Sequence, residues 1–300
     1  LSPLFAFIAY EEVARLSDIL LDSLSNNNWV AVDGGAYEAQ IITPAINGIT
    51  LPAISILFAT LIGNTFSGLR ERQQDIRTAL NREAGEIRVL QSMAEAFPTP
   101  WAGAQERLRS YLIQYTSRVI AESQQGVDFN SLEACAGDSE INGVLLQINQ
   151  LVLENEKRRK NQDDNDTNVN EIASIPELHL VECYNSLARL NAQRTLRISA
   201  LQSTFPPLHF TILSVLAGSI CLAFLMETNQ DLLIFLNALQ LKILWSMLVG
   251  TFSALGVVCY DLVDPFRGSY QISKTVNQLY TIRSALRASV RMATNYNNND

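Results

Sequence analysis

Apolar positions in this chain fall into blocks. Residues 41–66, 206–226 and 243–260 contain no Asp, Glu, Lys or Arg, whereas the stretches between them are strongly polar. A hydrocarbon core about 30 Å thick is crossed by roughly 20 apolar helical residues. Helices are also one of the few structures that satisfy their own backbone polar groups in lipid. The pattern therefore predicts three transmembrane helices, at 41–66, 206–226 and 242–262, in an all-α integral membrane protein. Pro44 and Pro52 lie in the first half of the first span. Each removes a backbone donor and crowds the preceding turn, so a kink or break is expected near Pro52.

Outside the blocks the apolar residues follow helical spacing. Phe7, Ile8, Val13, Leu16, Ile19, Leu20 and Leu24 alternate with Glu11, Glu12, Asp18 and Asp22. That amphipathic stretch is too charged to span, so it is expected to lie on a membrane surface or pack on a partner. With Asn26-Asn27-Asn28 and Gly34-Gly35 as a loop, it makes residues 1–40 an external region. Beyond the first span, Ile76, Leu80, Ile87 and Leu90 predict a helix over 68–97, ended by Pro98-Thr99-Pro100. Further helices are expected at 101–123 and at 141–160, the latter with Leu145, Ile148, Leu151 and Val152 on one face. Residues 161–168 have no apolar member and read as a loop. Ser174 and Pro176 signal another helix start, and that helix stops at Phe205-Pro206-Pro207. Together these form a helical bundle at 67–205, with a polar insertion at about 125–173. Residues 227–241 connect the last two spans, and 263–300 hold a final helix at 269–293 and a polar tail.

Charge orients the frame. Arg70, Arg72, Arg77 and Arg82 follow the first span, Arg189, Arg194 and Arg197 precede the second, and Arg267 and Lys274 follow the third. Lys and Arg concentrate on the cytoplasmic side of membrane proteins. These regions then share the cytoplasmic or stromal side. The N-terminal stretch and the Glu227-Thr228-Asn229-Gln230-Asp231 loop face the other side, outside or in the lumen, and the C-terminus lies inside.

Composition narrows the chemistry. The 300 residues carry a formal net charge of -8, and no basic stripe with interleaved aromatics suggests nucleic acid. Cys135, Cys183, Cys221 and Cys259 are dispersed, and the histidines are His179 and His209. No nucleotide loop, zinc motif, triad or carboxylate pair is present, so an enzyme is not expected. The chain begins at Leu1 rather than Met, which predicts either a removed targeting peptide or an internal start.

Several runs resemble one family. Leu69-Arg70-Glu71-Arg72 directly follows the first span, with residues 81–90 behind it. Tyr184-Asn185-Ser186-Leu187-Ala188-Arg189 and Leu201-Gln202-Ser203-Thr204-Phe205-Pro206-Pro207-Leu208-His209 precede the second. Asp264-Pro265-Phe266-Arg267-Gly268 closes the third. This pattern resembles the bestrophin-like membrane domain family of bacteria, plants and algae, over most of the chain except the N-terminal stretch and residues 128–172. Its form is similar to the branch in photosynthetic eukaryotes. That resemblance implies a chloroplast thylakoid membrane protein, or one of the chloroplast envelope, with a lumenal N-terminus and a stromal C-terminus. True bestrophins are pentameric anion channels with four spans and a calcium-binding acidic run after the last. Here Ser269-Tyr270-Gln271-Ile272-Ser273-Lys274 stands in that place, which argues against calcium gating.

The resemblance suggests sites, each with a plainer alternative. Ile54, Phe58, Ile62 and Phe66 recur every four residues and match the apolar neck of a bestrophin pore. They equally fit a lipid-facing or helix-packing stripe. Arg70, Arg72 and Arg77 would draw anions or lipid head groups, or fix topology and pair with Glu71, Asp75 and Glu83. Asp264, with Asp261 nearby, would bind an ion, or form a turn with Pro265, Phe266, Arg267 and Gly268. His209 offers a ring nitrogen to chlorophyll or a metal, or is simply hydrogen-bonded. Gly250 with Ala254, and Ala217 with Cys221, would let the last two spans pack closely.

Two functions follow. One is a homo-oligomeric anion (chloride) channel or channel-like protein, since three spans do not readily enclose a pore alone. The other is a non-catalytic accessory subunit of a photosynthetic supercomplex, holding lipid, chlorophyll or carotenoid against its apolar helices.

Overall fold

The computed structural model describes residues 2–25, 46–98, 101–124, 126–128, 132, 140–163, 175–228 and 238–297. Its helices are α1 (Ser2–Ser25), α2 (Leu51–Glu95), α3 (Ala102–Glu122), α4 (Glu140–Asp163), α5 (Glu177–Gln202), α6 (Pro207–Thr228), α7 (Ala238–Val263) and α8 (Ser273–Asn297). No strand occurs among the described residues. Helical stretches Gly48–Glu95, Glu177–Leu225 and Leu239–Val263 are long and apolar enough to cross a membrane. Their uncharged segments belong to α2, α6 and α7.

The first span and the helix after it are one element. α2 runs for 45 residues, about 67 Å at 1.5 Å per residue. Nothing between Ala53 and Glu95 breaks it, because the sequence there holds no proline. The irregularity expected near Pro52 takes the form of a π-helical turn just before it. That turn, Ile46–Thr50, runs directly into α2 at Leu51, and proline, which cannot donate a helical hydrogen bond, suits such a change of helical pitch. Pro44 lies outside the described residues, as do Cys135 and most of the expected loop at 161–168.

The chain divides into two compact units, Leu1–Arg70 with Thr204–Val263, and Glu71–Ser203 with Asp264–Asp300. In the first, the membrane unit, α1 packs lengthwise on α7 in the antiparallel sense. Ser246 Oγ donates to the Pro3 carbonyl at 2.6 Å, the Tyr10 and Trp245 rings are 6.3 Å apart, and Glu11 pairs with Lys242. A Cβ on Gly250 would meet Pro3 at 3.1 Å, so this approach is tight and favours glycine. The partner on which the amphipathic stretch packs is thus α7 of its own chain. Residues 2–10 are uncharged and run beside the apolar span, and the first charge, Glu11, meets a lysine near the start of α7.

The second, the bundle unit, has the larger core. Ile76, Leu80, Ile87 and Leu90 of α2, Leu108 and Leu112 of α3, Ile148 of α4, Leu190 of α5, and Leu279 and Leu286 of α8 are all buried in it. Asn155 ties α4 to the start of α5, its side chain donating to the Ile175 carbonyl and accepting from the Ile175 N–H, both at 3.0 Å.

Candidate functional site

The exposed face of α2 within the membrane unit mixes Ile56 and Leu57 with a run of small and polar residues, and α6 and α7 also expose Thr211, Ser214, Gly218 and Thr251. Burial along this helix repeats at Phe58, Thr65 and Leu69, which is helical spacing. The opposite stripe, Ala53, Ile56, Thr60, Gly63 and Ser67, is exposed, with Asn64 beside it. Small and hydrogen-bonding residues dominate it. On α6 the exposed large residues are Leu208, Ile212, Val215 and Leu222, and on α7 they include Ile243, Leu244, Met247 and Val257. Those faces suit hydrocarbon. In lipid a polar group has few partners outside the protein, and small or hydroxyl-bearing faces belong to helix contacts or to water-filled passages. Thr60 covers part of its need by donating to the Ile56 carbonyl at 2.8 Å.

The period-four stripe lies mostly elsewhere. Phe58 is 9% exposed and its ring meets Phe252 edge-on at 5.1 Å, so Phe58 packs the inside of its own unit. Ile62 lines a cavity with it, and Ile54 and Phe66 are half-buried. The sequence reading missed the Thr60–Ser67 face because it followed large apolar residues. Polar and small residues recurring at three and four inside an uncharged block were the available signal.

His209 is held rather than free. Its Nε2 lies 2.6 Å from Thr65 Oγ1, and that hydroxyl donates to the Leu61 carbonyl at 2.7 Å. A hydroxyl has one proton, so Nε2–H is the donor to Thr65. Phe205 stacks on the imidazole at 4.7 Å. Gly68 makes room for Phe205, since a Cβ there would sit 3.0 Å from the ring.

The three arginines separate. Arg70 and Arg77 are exposed. Arg72 is buried, with Nε donating to the Ala200 carbonyl at 2.8 Å and Nη2 to the Leu201 carbonyl at 2.7 Å. It closes the C-terminal turn of α5, whose last carbonyls lack helical donors. Asp264 makes a turn: its carboxylate accepts from the Phe266 N–H at 3.0 Å and its carbonyl from the Arg267 N–H at 3.2 Å. Gly268 has φ +77°, which suits glycine, and Pro265 and Phe266 are buried. The small-residue pairs also divide. Gly250 accommodates α1 rather than α6, Ala254 is exposed, and Ala217 faces a cavity.

The bundle unit holds a buried ionic cluster that sequence reasoning did not find. Arg197 of α5 donates from Nε to Glu83 at 2.9 Å and from Nη2 to Glu122 at 2.7 Å. Tyr115 donates to Glu83 at 3.1 Å. Arg194 approaches Glu122 at 3.5 Å and lies over the Tyr115 ring at 5.8 Å. Arg118 continues the cluster, bonded to Glu122 and Glu140. Glu83, expected as a local partner of the α2 arginines, instead turns inward to a residue of α5. Burial alone raises the Glu122 carboxyl, but Arg197, Arg194 and Arg118 outweigh it and hold it below the usual carboxylate range. Burial and the Glu83 carboxylate push the Tyr115 phenol well above its ordinary value. Among the described residues no group of three or more metal-ligating side chains forms.

Three helices long and apolar enough to cross a membrane and a helical bundle give an all-α membrane-protein fold among the described residues. The profile of the Bestrophin-like domain matches residues 24–277, and the chain belongs to that family. Its fold is similar to a variant of a bacterial bestrophin homologue from Klebsiella pneumoniae, with 14% identity, a TM-score of 0.59, and coverage of 96% of this chain and 99% of that one. A second structure of the Klebsiella pneumoniae homologue is 15% identical, with a TM-score of 0.58 over 94% and 97% of the two chains. A variant of a solved membrane protein is 16% identical, with a TM-score of 0.56 over 95% and 99%. No curated protein matches the sequence.

Proposed function

We propose that copies of this chain assemble into a ring that conducts anions, chloride among them, with α2 of each copy turned towards the axis. The observation that carries this reading is the exposed stripe Thr60, Gly63 and Ser67, with Asn64 beside it, on the side of α2 opposite the buried Phe58. Hydroxyl and amide groups there would replace part of an anion's hydration while α6 and α7 face lipid. Exposed Arg70 and Arg77 would raise the local anion concentration. Arg72 is spent on the end of α5, so it serves structure. Of the apolar stripe, Ile54, Ile62 and Phe66 remain candidates for a constriction, since Phe58 is turned inward. The clustering of arginines beside the spans supports a lumenal N-terminus and a stromal C-terminus in a thylakoid membrane.

Cysteine scanning in liposomes tests the assignment, in a background with the four native cysteines replaced by alanine. A charged thiol reagent is expected to block chloride flux at Thr60→Cys and Ser67→Cys and to leave Leu222→Cys unaffected. Equal sensitivity at all three positions defeats the α2 lining. Mass measurement of the solubilised protein tests the ring itself. A single copy held among unlike subunits of a photosynthetic complex would replace the channel with a scaffold.

A further inference from the structure

Within the membrane unit, α2, α6 and α7 enclose a half-open groove of about 420 Å³. Phe58, Leu213 and Phe252 wall it, Ala217 and Gly256 leave it hollow, and Tyr260 stands at its rim. No charged side chain lines it, so a permeating anion is not its occupant. Its one hydroxyl besides that of Tyr260, Ser214, already donates to the Phe210 carbonyl at 2.9 Å.

We infer that this groove holds one acyl chain of a membrane glycerolipid. The lining positions on α7 run from Phe252 to Val263, where the helix ends. Eleven residues at 1.5 Å each cover about 16 Å, close to half of a hydrocarbon core about 30 Å thick. On α6 they begin at Phe210, beside the helix start at Pro207, and stop at Ala217. The groove thus runs from one surface of the bilayer to its middle, the depth of a single leaflet and of a single lipid tail. Tyr260 is 64% exposed at the surface end, where aromatic side chains with a polar tip are favoured.

Gly256 points the same way. Glycine inside a helix is unfavourable for every reason but space. Gly250 and Gly68 each face a close neighbour, whereas a Cβ on Gly256 would meet nothing within 4 Å. No packed element therefore requires glycine at 256, as none does at Gly63 or Gly218, but Gly256 lines the groove, where any side chain would take up its space. A second copy of the chain is a poorer occupant. Phe58 and Ile62 contribute from the side of α2 opposite Thr60 and Ser67, so a ring closed through that exposed face leaves the groove to lipid. The inference needs only the placement of these helices in a membrane and stands whether or not the protein conducts.

The test uses the full chain in liposomes of phosphatidylcholine and phosphatidylglycerol, with a trace of phosphatidylcholine carrying a photoactivated diazirine on one acyl chain. After illumination, adducts are mapped by peptide mass spectrometry. Adducts are expected several-fold more often on Leu213, Phe252 and Cys259 than on the outward-facing Leu222 and Met247. They should disappear from the groove in Ala217→Leu and Gly256→Leu while persisting at Leu222 and Met247. Gly256→Ala adds one methyl to open space and is expected to lower groove labelling in part. It also decides the matter if the leucine variants do not fold. Groove labelling no higher than at Leu222 and Met247, or unchanged in the filled variants, overturns the inference. So does a disulfide linking two copies through Ala217→Cys. Chloride flux, measured on the same liposomes, reports separately on the channel.

Discussion

The two units place their polar groups by opposite rules. The bundle unit hides full charges: Arg197 and Glu83 are both 0% exposed, and Glu122 and Arg194 lie against them. The membrane unit keeps charges out of its interior, settles one imidazole on one hydroxyl, and leaves Thr60, Gly63, Asn64 and Ser67 on an outer face. Each rule follows from what surrounds the unit. A bundle in water exposes polar groups freely, so a charge placed inside must meet its counter-charge there. In hydrocarbon an outward polar face is the costly one, and it persists where another helix or water covers it. The comparison places the proposed conducting face on the outside of the membrane unit and the charged core inside the bundle unit.

The largest effect is expected where the buried cluster is cut. Arg197→Leu leaves Glu83 charged and unpaired in the core, at a cost of about 3–5 kcal/mol, seen as a lower midpoint for loss of helical signal on heating or in urea. Adding Glu83→Leu should recover much of that, because Glu122 keeps Arg194 and Arg118. If the double variant is as unstable as the single one, charge pairing is not what holds α5 to α2.

Overpacking in the membrane unit comes next. Gly250→Leu drives a side chain into Pro3, and such insertions cost about 1–3 kcal/mol. It should free α1 to protease without changing the bundle's melting. Unchanged resistance of α1 would show that its seat on α7 lies elsewhere.

The pH dependence is smaller and has a definite sign. Glu122 titrates below its ordinary value of 4.5, so its contribution to stability is complete above that value. It is lost as pH falls through the lowered one. Glu122→Gln should therefore flatten the decline in stability below about pH 4.5, the ordinary value for the group. An identical acid profile in that variant excludes Glu122 as its source. The mildest change is Thr65→Val, which removes the acceptor of His209 and should cost about 0.5–1.5 kcal/mol as a small shift in melting midpoint. Flux should be retained, because Thr65 faces inward.

Much of the frame was legible in the sequence. Uncharged runs announce membrane helices whatever their partners, and proline pairs at 98–100 and 206–207 mark true ends. The helical period of burial in α2 was legible only beyond its uncharged part, where Ile76, Leu80, Ile87 and Leu90 contrast with charge. Inside the uncharged block every residue is tolerable to lipid, so a stripe such as Ile54–Phe66 carries little information about direction. Long-range pairs were hidden for another reason. Glu83 and Arg197 are separated by 114 positions, and local spacing offered Glu83 nearer but wrong partners. Gly250 was expected to bring the last two spans together, but its close neighbour is Pro3, in a stretch whose later charges mark it as unable to span and say nothing of where its uncharged start packs.

The closed ionic cluster has a consequence for how the protein looks to an ion in solution. Arg118, Arg194 and Arg197 balance Glu83, Glu122 and Glu140, so their combined far field vanishes. The formal net charge of -8 then belongs to the rest of the chain, and a chloride ion approaching from a distance is repelled on average. Salt screens such repulsion beyond about 8 Å at physiological ionic strength. On the proposed channel reading, chloride entry should therefore quicken when an impermeant salt is added at fixed chloride, with the exposed Arg70 and Arg77 acting only at short range. A flux that slows instead would mean that attraction by these arginines governs the approach.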